Sequence, residues 1–378
     1  MLFRSEDVES LSYRVAFAKE KGMLGVFGWE YREDAKDGTL RKAVRQMMGA
    51  STPVDPEEPQ ETGDGPDPAD CADLSANGRA NCYLITASGN YKFPAVRGNT
   101  ATSVGSVYRV ELLWETADGM VPKLGYSGGW ITFSTPSTLI RGNALVAVKD
   151  ASGKILWSWH LWIPRTAPTA NTYGDLATLP LMSRNLGALE DAPSSGTASA
   201  DSYGLYYQWG RKDPFRSSGF TTQSSTLSTE QSYAAPTVFV TVSGDWNSST
   251  DGYLWGDSSS SKPSVKTEND PCPPGYRVPN RCESVLFTAS ETGITGWSFS
   301  KSGRWYTAGS PAQGWPLPGY ISKDGAYQDG ASSYLWNAHH DGDVPGKAYC
   351  QYISSSGTSK KTQVYKAIGA SVRCIAEE

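Results

Sequence analysis

The chain has 378 residues and a formal net charge of −5, with 19% charged residues, 39 glycines, 20 tyrosines and 13 tryptophans. That length holds two or three domains with cores of their own, and the mixture of aromatics, small polar residues and few charges suits antiparallel sheets and long loops more than helices. No basic stripe for nucleic acid, no polybasic patch for a membrane surface and no run of about 18 apolar residues for a membrane span is present.

Residues 5–49 differ from the rest. Ser5 is placed to cap a helix, and SEDVESLSYRVAFAKEKG sets Val8, Leu11, Val15 and Ala18 at helical spacing up to Gly22. MLGVFGWEY then reads as a buried strand, REDAKDG as a loop and TLRKAVRQMMG as a second helix, an α/β pattern. Met1 is followed at once by this charged, amphipathic segment, so no signal peptide is visible. Residues 50–74 read as an acidic, Pro-rich linker whose role is spacing. Asp55, Glu57, Glu58, Glu61, Asp64, Asp67, Asp70 and Asp73 all lie there with no Lys or Arg, which leaves the remainder of the chain at +3 (−5 less −8).

From residue 75 short alternating strands follow one another: NCYLITA, YKFPAV, SVYRVELLWET, GWITFST, NALVAVKD and KILWSWHLWI, with KDASGK as a hairpin turn between the last two. Residues 75–165 are therefore expected to form a small β-sandwich. In its last strand Trp157, Trp159, Leu161 and Ile163 share one face, with Leu156, Ser158, His160 and Trp162 on the other. The tryptophans suit either a sugar-stacking platform or a core between two layers, and core is the favoured reading. His160 is read as structural.

Residues 166–378 alternate dense motifs with Ser/Thr-rich loops, the kind of loop that carries function or variability. The densest motif is GLYYQWGRKDPF at 204–215. Arg211, Lys212 and Asp213 could form a catalytic or anion-binding cluster. However, no G-x-S-x-G is present, and His160, His339 and His340 stand in no triad context. The run is therefore read as scaffold, with Tyr206, Tyr207 and Trp209 in the core and an Arg211–Asp213 pair fixing the turn before Pro214. His339, His340, Asp341 and Asp343 could approach a divalent ion, but adjacent histidines diverge and no Glu completes a calcium loop, so an exposed polar loop is expected. No catalytic residue, metal site or cofactor is assigned. None of the six cysteines stands in a C-x-x-C pair. Spacing pairs Cys71 with Cys82 as a local clasp. The connectivity of the other four does not follow from sequence, and the working expectation is Cys272–Cys374 with Cys282–Cys350.

Two resemblances rest on these residues. AFAKEKGMLGVFGWEYREDAKDGTLRKAV is similar to the closing segment of a glycoside hydrolase family 18 barrel, the chitinase and endo-N-acetylglucosaminidase family. The resemblance implies that Trp29 matches the tryptophan that floors the cutting subsite. The family's D-x-x-D-x-D-x-E is absent and so are its seven earlier strands, so residues 1–49 are expected to be a non-hydrolytic remnant and the chain the C-terminal part of a longer enzyme. Residues 73–378 resemble Bacteroidetes surface proteins with a fimbrillin-like β domain and a major paralogous (FISUMP-type) domain. The signature is DLSANGRANCYLI, NALVAVKDASGKILWSWHLWI, MSRNLGAL, GLYYQWGRKDPF, DPCPPGYRVP and SVRC, in that order, which includes Tyr207, Trp209, Arg211 and Asp213. This resemblance implies a secreted or cell-surface, non-enzymatic protein whose last domain is similar to the C-type-lectin-like fold, a closed loop-rich structure pinned near its ends. A Cys272–Cys374 bond would fit that pinning.

The expected fold is mainly β: a β-sandwich followed by an α+β C-type-lectin-like domain, with a short N-terminal α/β remnant. The expected function is an adhesion or binding module directed at glycans or at host or bacterial surface proteins. The alternatives are the end of a family 18 hydrolase and a structural fimbrial subunit. A ligand face would lie on loops between residues 314 and 361, with Trp315, Tyr320, Tyr327, Tyr334, Trp336, Asn337, Tyr349 and Tyr352 as candidates. The same composition would also serve a lectin-like core with polar loops.

Overall fold

A computed structural model describes residues 8–21, 63–171, 180–193, 195–249, 252–256, 265–280, 283, 298–300, 305–308, 313–330, 332–340, 344–354 and 359–377. The chain divides into two compact units, Met1–Gln60 and Glu61–Glu378. In the first, the helix Val8–Glu20 forms where helical spacing predicts one. It buries Val15 and leaves Tyr13 and Phe17 exposed. The strand and second helix expected at 23–49, and Trp29 with them, lie outside the described residues.

The second unit is mainly β. Its first part holds β1 (Ala72–Asp73), β2 (Cys82–Leu84), β3 (Asn90–Pro94), β4 (Arg109–Glu115), β5 (Lys123–Ser127), β6 (Trp130–Ser134), β7 (Gly142–Lys149) and β8 (Ile155–Ile163). They form two four-stranded sheets, ordered β2-β8-β7-β4 and β1-β3-β6-β5. One apolar core joins the two sheets, with Phe93 of one sheet 5.4 Å from Trp159 of the other, ring centre to ring centre. The β7–β8 hairpin closes at KDASGK. Asp150 Oδ1 accepts from the Ser152 hydroxyl and from the Ser152 and Lys154 amides, and Gly153 takes the left-handed φ of 84° that the turn needs.

Residues 63–73, which the sequence places in the linker, lie against this first part. β1 pairs parallel with β3, and Gly63 bridges to Gly125 so closely that a Cβ there would sit 2.1 Å from the Leu124 carbonyl oxygen. Lys92 Nζ donates to the Pro68 carbonyl at 2.7 Å. Glycine and proline thus serve close packing here, where their abundance suggested a free spacer.

Beyond β8 the described strands run two to four residues, apart from Ser332–His340, Lys347–Ser354 and Ser359–Tyr365. A five-stranded sheet is ordered Tyr206–Tyr207, Ala370–Ser371, Ser332–His340, Lys347–Ser354, Ser359–Tyr365, and a smaller one Tyr276–Arg277, Ile375–Ala376, Leu181–Met182, Ala170–Asn171. A second core gathers Tyr207, Trp209, Trp246, Trp255 and Trp336 with Trp162 of β8. Hence β8 is buried on both faces. Trp157, Trp159 and Leu161 enter the first core, while Trp162 enters the second. The tryptophans of β8 are core and offer no exposed platform.

Candidate functional site

The run at 204–215 shows how the second part is held. Tyr206 and Phe215 exchange both backbone hydrogen bonds, at 2.9 and 2.7 Å, closing the segment into a loop. Gly204 enters it at φ 78°, where a Cβ would lie 2.6 Å from the Leu186 carbonyl oxygen. Tyr207 and Trp209 are core, as expected. The ion pair differs from expectation. Asp213 Oδ1 pairs with Lys212 Nζ at 2.7 Å, and both side chains are 2% exposed or less. Arg211 instead donates to the carbonyls of Ala235 and Val238, at 2.6 and 2.7 Å, and lies over the rings of Phe215 and Trp246. The Lys212–Asp213 pair closes on β8: Ser158 Oγ is 2.6 Å from both Lys212 Nζ and Asp213 Oδ1, and the Ser158 carbonyl also accepts from Lys212. Burial pulls the Lys212 ammonium down to about 8, against the upward pull of Asp213. The charged tip of the run therefore fastens the loop-rich part onto β8, and its groups are spent internally.

Three of the other segments repeat this device. Buried Arg184 of MSRNLGAL bonds Asp191 and the carbonyls of Thr166 and Leu189. In DPCPPGYRVP the buried Asp270 carboxylate accepts from the amides of Cys272 and Val278, both at 2.8 Å, and Lys266 Nζ serves the carbonyls of Cys272 and Pro273. Burial raises the Asp270 carboxyl and lowers the Lys266 ammonium. Arg277 grips Glu283 through two 2.7 Å bonds. Arg373 of SVRC lies 3.5 Å from the centre of the Trp315 ring and donates to the Gly314 carbonyl. Short strands and loops leave many buried carbonyls without a ladder partner, and charged side chains that reach several at once satisfy them.

The structure separates the expected ligand residues into groups. Trp315, Trp336 and Asn337 are buried. Trp336 Nε1 donates to the Tyr207 carbonyl, and the Asn337 carbonyl accepts from Trp209 Nε1. Tyr327 gives its hydroxyl to the Pro318 carbonyl, shared with Tyr206. Tyr349 is half-buried, 5.0 Å from the His339 ring. His340 packs edge-on to the exposed Tyr253, while Asp341 and Asp343 lie outside the described residues.

Tyr320, Tyr334 and Tyr352 do come together, and they form the candidate site. All three are half-buried. Ring centres are 4.9 Å apart for Tyr320–Tyr334, edge-on, and 5.1 Å for Tyr334–Tyr352. Tyr334 and Tyr352 are direct cross-strand partners, and Tyr352 is in turn the partner of Lys360. The Lys360 ammonium lies 5.8 Å from the Tyr352 ring centre. Burial, with the neighbouring tyrosines adding to it, pushes the Tyr334 phenol up to about 12, so all its chemistry near neutral pH is that of a hydroxyl. Chemically the row offers ring faces, phenol hydroxyls that donate and accept, and one ammonium at its end. Sequence reasoning missed Lys360. Its signal is register: the hairpin sets Lys360 opposite Tyr352.

His160 is structural, as expected: buried, with Nε2 2.9 Å from Asn143 Oδ1. Of the cysteine pairings, Cys272–Cys374 is formed. The Cys71–Cys82 clasp is not, because the two thiols belong to different sheets. Cys71 leads into β1 and gives its thiol to the Asp67 carbonyl, while Cys82 is buried in β2 against β8. Nor is Cys350 bridged: it is a buried free thiol in the Lys347–Ser354 strand, near the Thr362 carbonyl, and Cys282 lies outside the described residues. Burial holds the Cys82 and Cys350 thiols well above their usual range.

Among the described residues no group of three or more His, Cys, Asp or Glu is arranged to hold a metal, and no helix is long and apolar enough to cross a membrane. No protein-family model matches the chain, and no curated protein or solved structure matches it.

Proposed function

We propose that residues 61–378 are a non-catalytic binding module, secreted or displayed at a bacterial surface, and that the ligand is a glycan. The row Tyr320–Tyr334–Tyr352 carries this reading. Ring faces stack on the C–H faces of sugars, phenol hydroxyls pair with sugar hydroxyls, and a half-buried row holds both ready at little entropic cost. The signature segments spend their charged groups on folding, which fits a scaffold presenting one rim. The six ordered motifs support membership of the FISUMP-type surface proteins, with the two sheets of 72–163 as a β-sandwich and the remainder as the C-type-lectin-like domain. In the same reading residues 1–49 are the end of a family 18 barrel, so that the module would have kept a glycan-cleaving domain near its substrate by raising effective concentration.

A glycan array probed with the whole chain tests the proposal. Binding to one or a few glycans, lost in Tyr352→Ala with the melting temperature kept, is expected. A chain that binds no glycan overturns it and favours a structural subunit. Hydrolysis of a chromogenic chitobioside by this chain would overturn the non-catalytic part.

A further inference from the structure

Among the described residues of the second unit five lysines lie over aromatic rings, and three of them are already spent. Lys92, over Trp130, donates to the Pro68 carbonyl; Lys212, over Trp157, pairs with Asp213; Lys366, over Trp209, pairs with Asp245. The ammonium groups of Lys347, over Tyr365, and Lys360, over Tyr352, make no hydrogen bond or ion pair among the described residues. Both are direct cross-strand partners of their tyrosines in the hairpin of Lys347–Ser354 and Ser359–Tyr365. Alternation puts them on opposite faces of it. Only Lys360 stands at the end of a row of further tyrosines.

Charge is one-sided on the hairpin that carries Tyr352 and Lys360, while the 320–329 segment at the Tyr320 end carries Lys323, Asp324 and Asp329. Residues 344–366 contain Lys347, Lys360, Lys361 and Lys366 and no Asp or Glu, in a chain whose net charge is −5. Thus the Lys360 ammonium has no carboxylate on its own hairpin. Tyr334 and Tyr352, half-buried beside it, reduce local screening and strengthen any anion held there. A neutral sugar would use the rings and leave this cation unmatched.

We propose that the row takes an acidic glycan, a sugar stacked on Tyr334 and Tyr352 whose carboxylate or sulfate pairs with Lys360. This rests on the glycan reading above and narrows it to a chemical class. Lys360 is a specificity-determining residue in it, while Lys347 on the opposite face is not.

Retention of the full chain by four polymers tests the proposal. Polygalacturonate and its methyl ester share a backbone and differ in the carboxylate; dextran sulfate and dextran differ in the sulfate. Retention by polygalacturonate, by dextran sulfate or by both, with the uncharged counterparts weaker, is expected, and the polymer preferred identifies the anion. Lys360→Gln should weaken that binding about ten-fold, the worth of one charge-assisted hydrogen bond. Lys360→Arg should keep it, Lys347→Gln should leave it unchanged, and all three should unfold where the parent does. Equal retention by charged and uncharged polymers overturns the acidic class and leaves the glycan reading standing. An equal loss in Lys347→Gln and Lys360→Gln also overturns it, since the attraction is then diffuse. Retention by none of the four overturns it, and the array then decides whether the glycan reading falls too.

Discussion

The two parts of the second unit satisfy their buried backbone in opposite ways. In 72–163 the ladders do it: β7 and β8 pair from Gly142↔Ile163 to Lys149↔Ile155 with one register shift between Val148 and Lys149, and the side chains between the sheets are mostly apolar. In 180–377, apart from Ser332–His340, Lys347–Ser354 and Ser359–Tyr365, the described strands run only two to four residues, and side chains cross to loop carbonyls. Arg184, Arg211 and Lys266 each reach two or more. Gln208 donates to the carbonyls of Val240 and Ala367, and the indoles of Trp209, Trp246, Trp255 and Trp336 each take one. A ladder distributes polar satisfaction over the backbone itself, so no one side chain is indispensable to it. A loop scaffold concentrates it on a few charged side chains, so each of those is.

The sharpest way to break this comparison is at the joint between the parts. Lys212→Met removes the cation from a pair that is fully buried and leaves Asp213 uncompensated, at a cost of about 3–5 kcal/mol. Adding Asp213→Asn should restore part of the loss, because the stranded charge goes with it. Chemical denaturation of the two variants measures both. In the ladder part Leu161→Ala, which opens a cavity and strands no polar group, should cost about 2–5 kcal/mol, with no second substitution of a polar group able to rescue it. If Lys212→Met costs less than Leu161→Ala and the double variant gains nothing, the cations are not what holds the loop part.

Local pattern made part of this legible. Strand-type residue patterning located β8, although both of its faces are buried, and KDASGK located its turn, because both signals are written in adjacent residues. Long-range partners were not legible in the same way. Asp213 chooses Lys212 and Ser158, and Ser158 is 55 residues away in sequence from Asp213, in another part of the fold. Cysteine spacing misled for the same reason: ten intervening positions are no guide when Cys71 and Cys82 feed different sheets. Within the candidate ligand stretch, Trp315 and Trp336 could not be told from Tyr320 and Tyr334, since an aromatic suits a core and a binding rim equally. What separates them is which sheet face each occupies and what lies above it.

Acid sharpens the comparison within the ladder part, which buries one titratable base. Asn143 gives its Nδ2 to the Gly187 carbonyl, so its Oδ1 faces His160 and fixes the Nε2–H tautomer. His160 Nδ1 has no partner, and burial lowers the ring to about 3. Between pH 6.5 and that value the unfolded chain binds a proton that the folded one refuses, so stability is intact above 6.5 and falls with pH below it. The loss is about 1.4 kcal/mol per pH unit, or roughly 2–3 kcal/mol by pH 4.5. Unfolding free energies measured from pH 7 to 4.5 should show that slope, and His160→Gln should flatten it. An unchanged slope in His160→Gln would move the acid sensitivity to other groups.

The smallest effect on stability is expected where the cations hold no buried polar group. Lys347 and Lys360 lie over tyrosine rings as Lys212 and Lys366 lie over tryptophans. The difference is that no buried carbonyl or carboxylate depends on them. Removing either charge therefore strands nothing, and Lys347→Gln or Lys360→Gln should change the unfolding free energy by no more than about 0.5 kcal/mol. Lys366→Gln, which leaves Asp245 without its 2.8 Å partner, should cost more. A ranking in which Lys347 and Lys360 cost as much as Lys366 would mean that the ring contact itself, and not the polar group beyond it, is what the loop scaffold uses. Because the folding cost at Lys360 is near zero, any change in ligand binding there reads recognition directly.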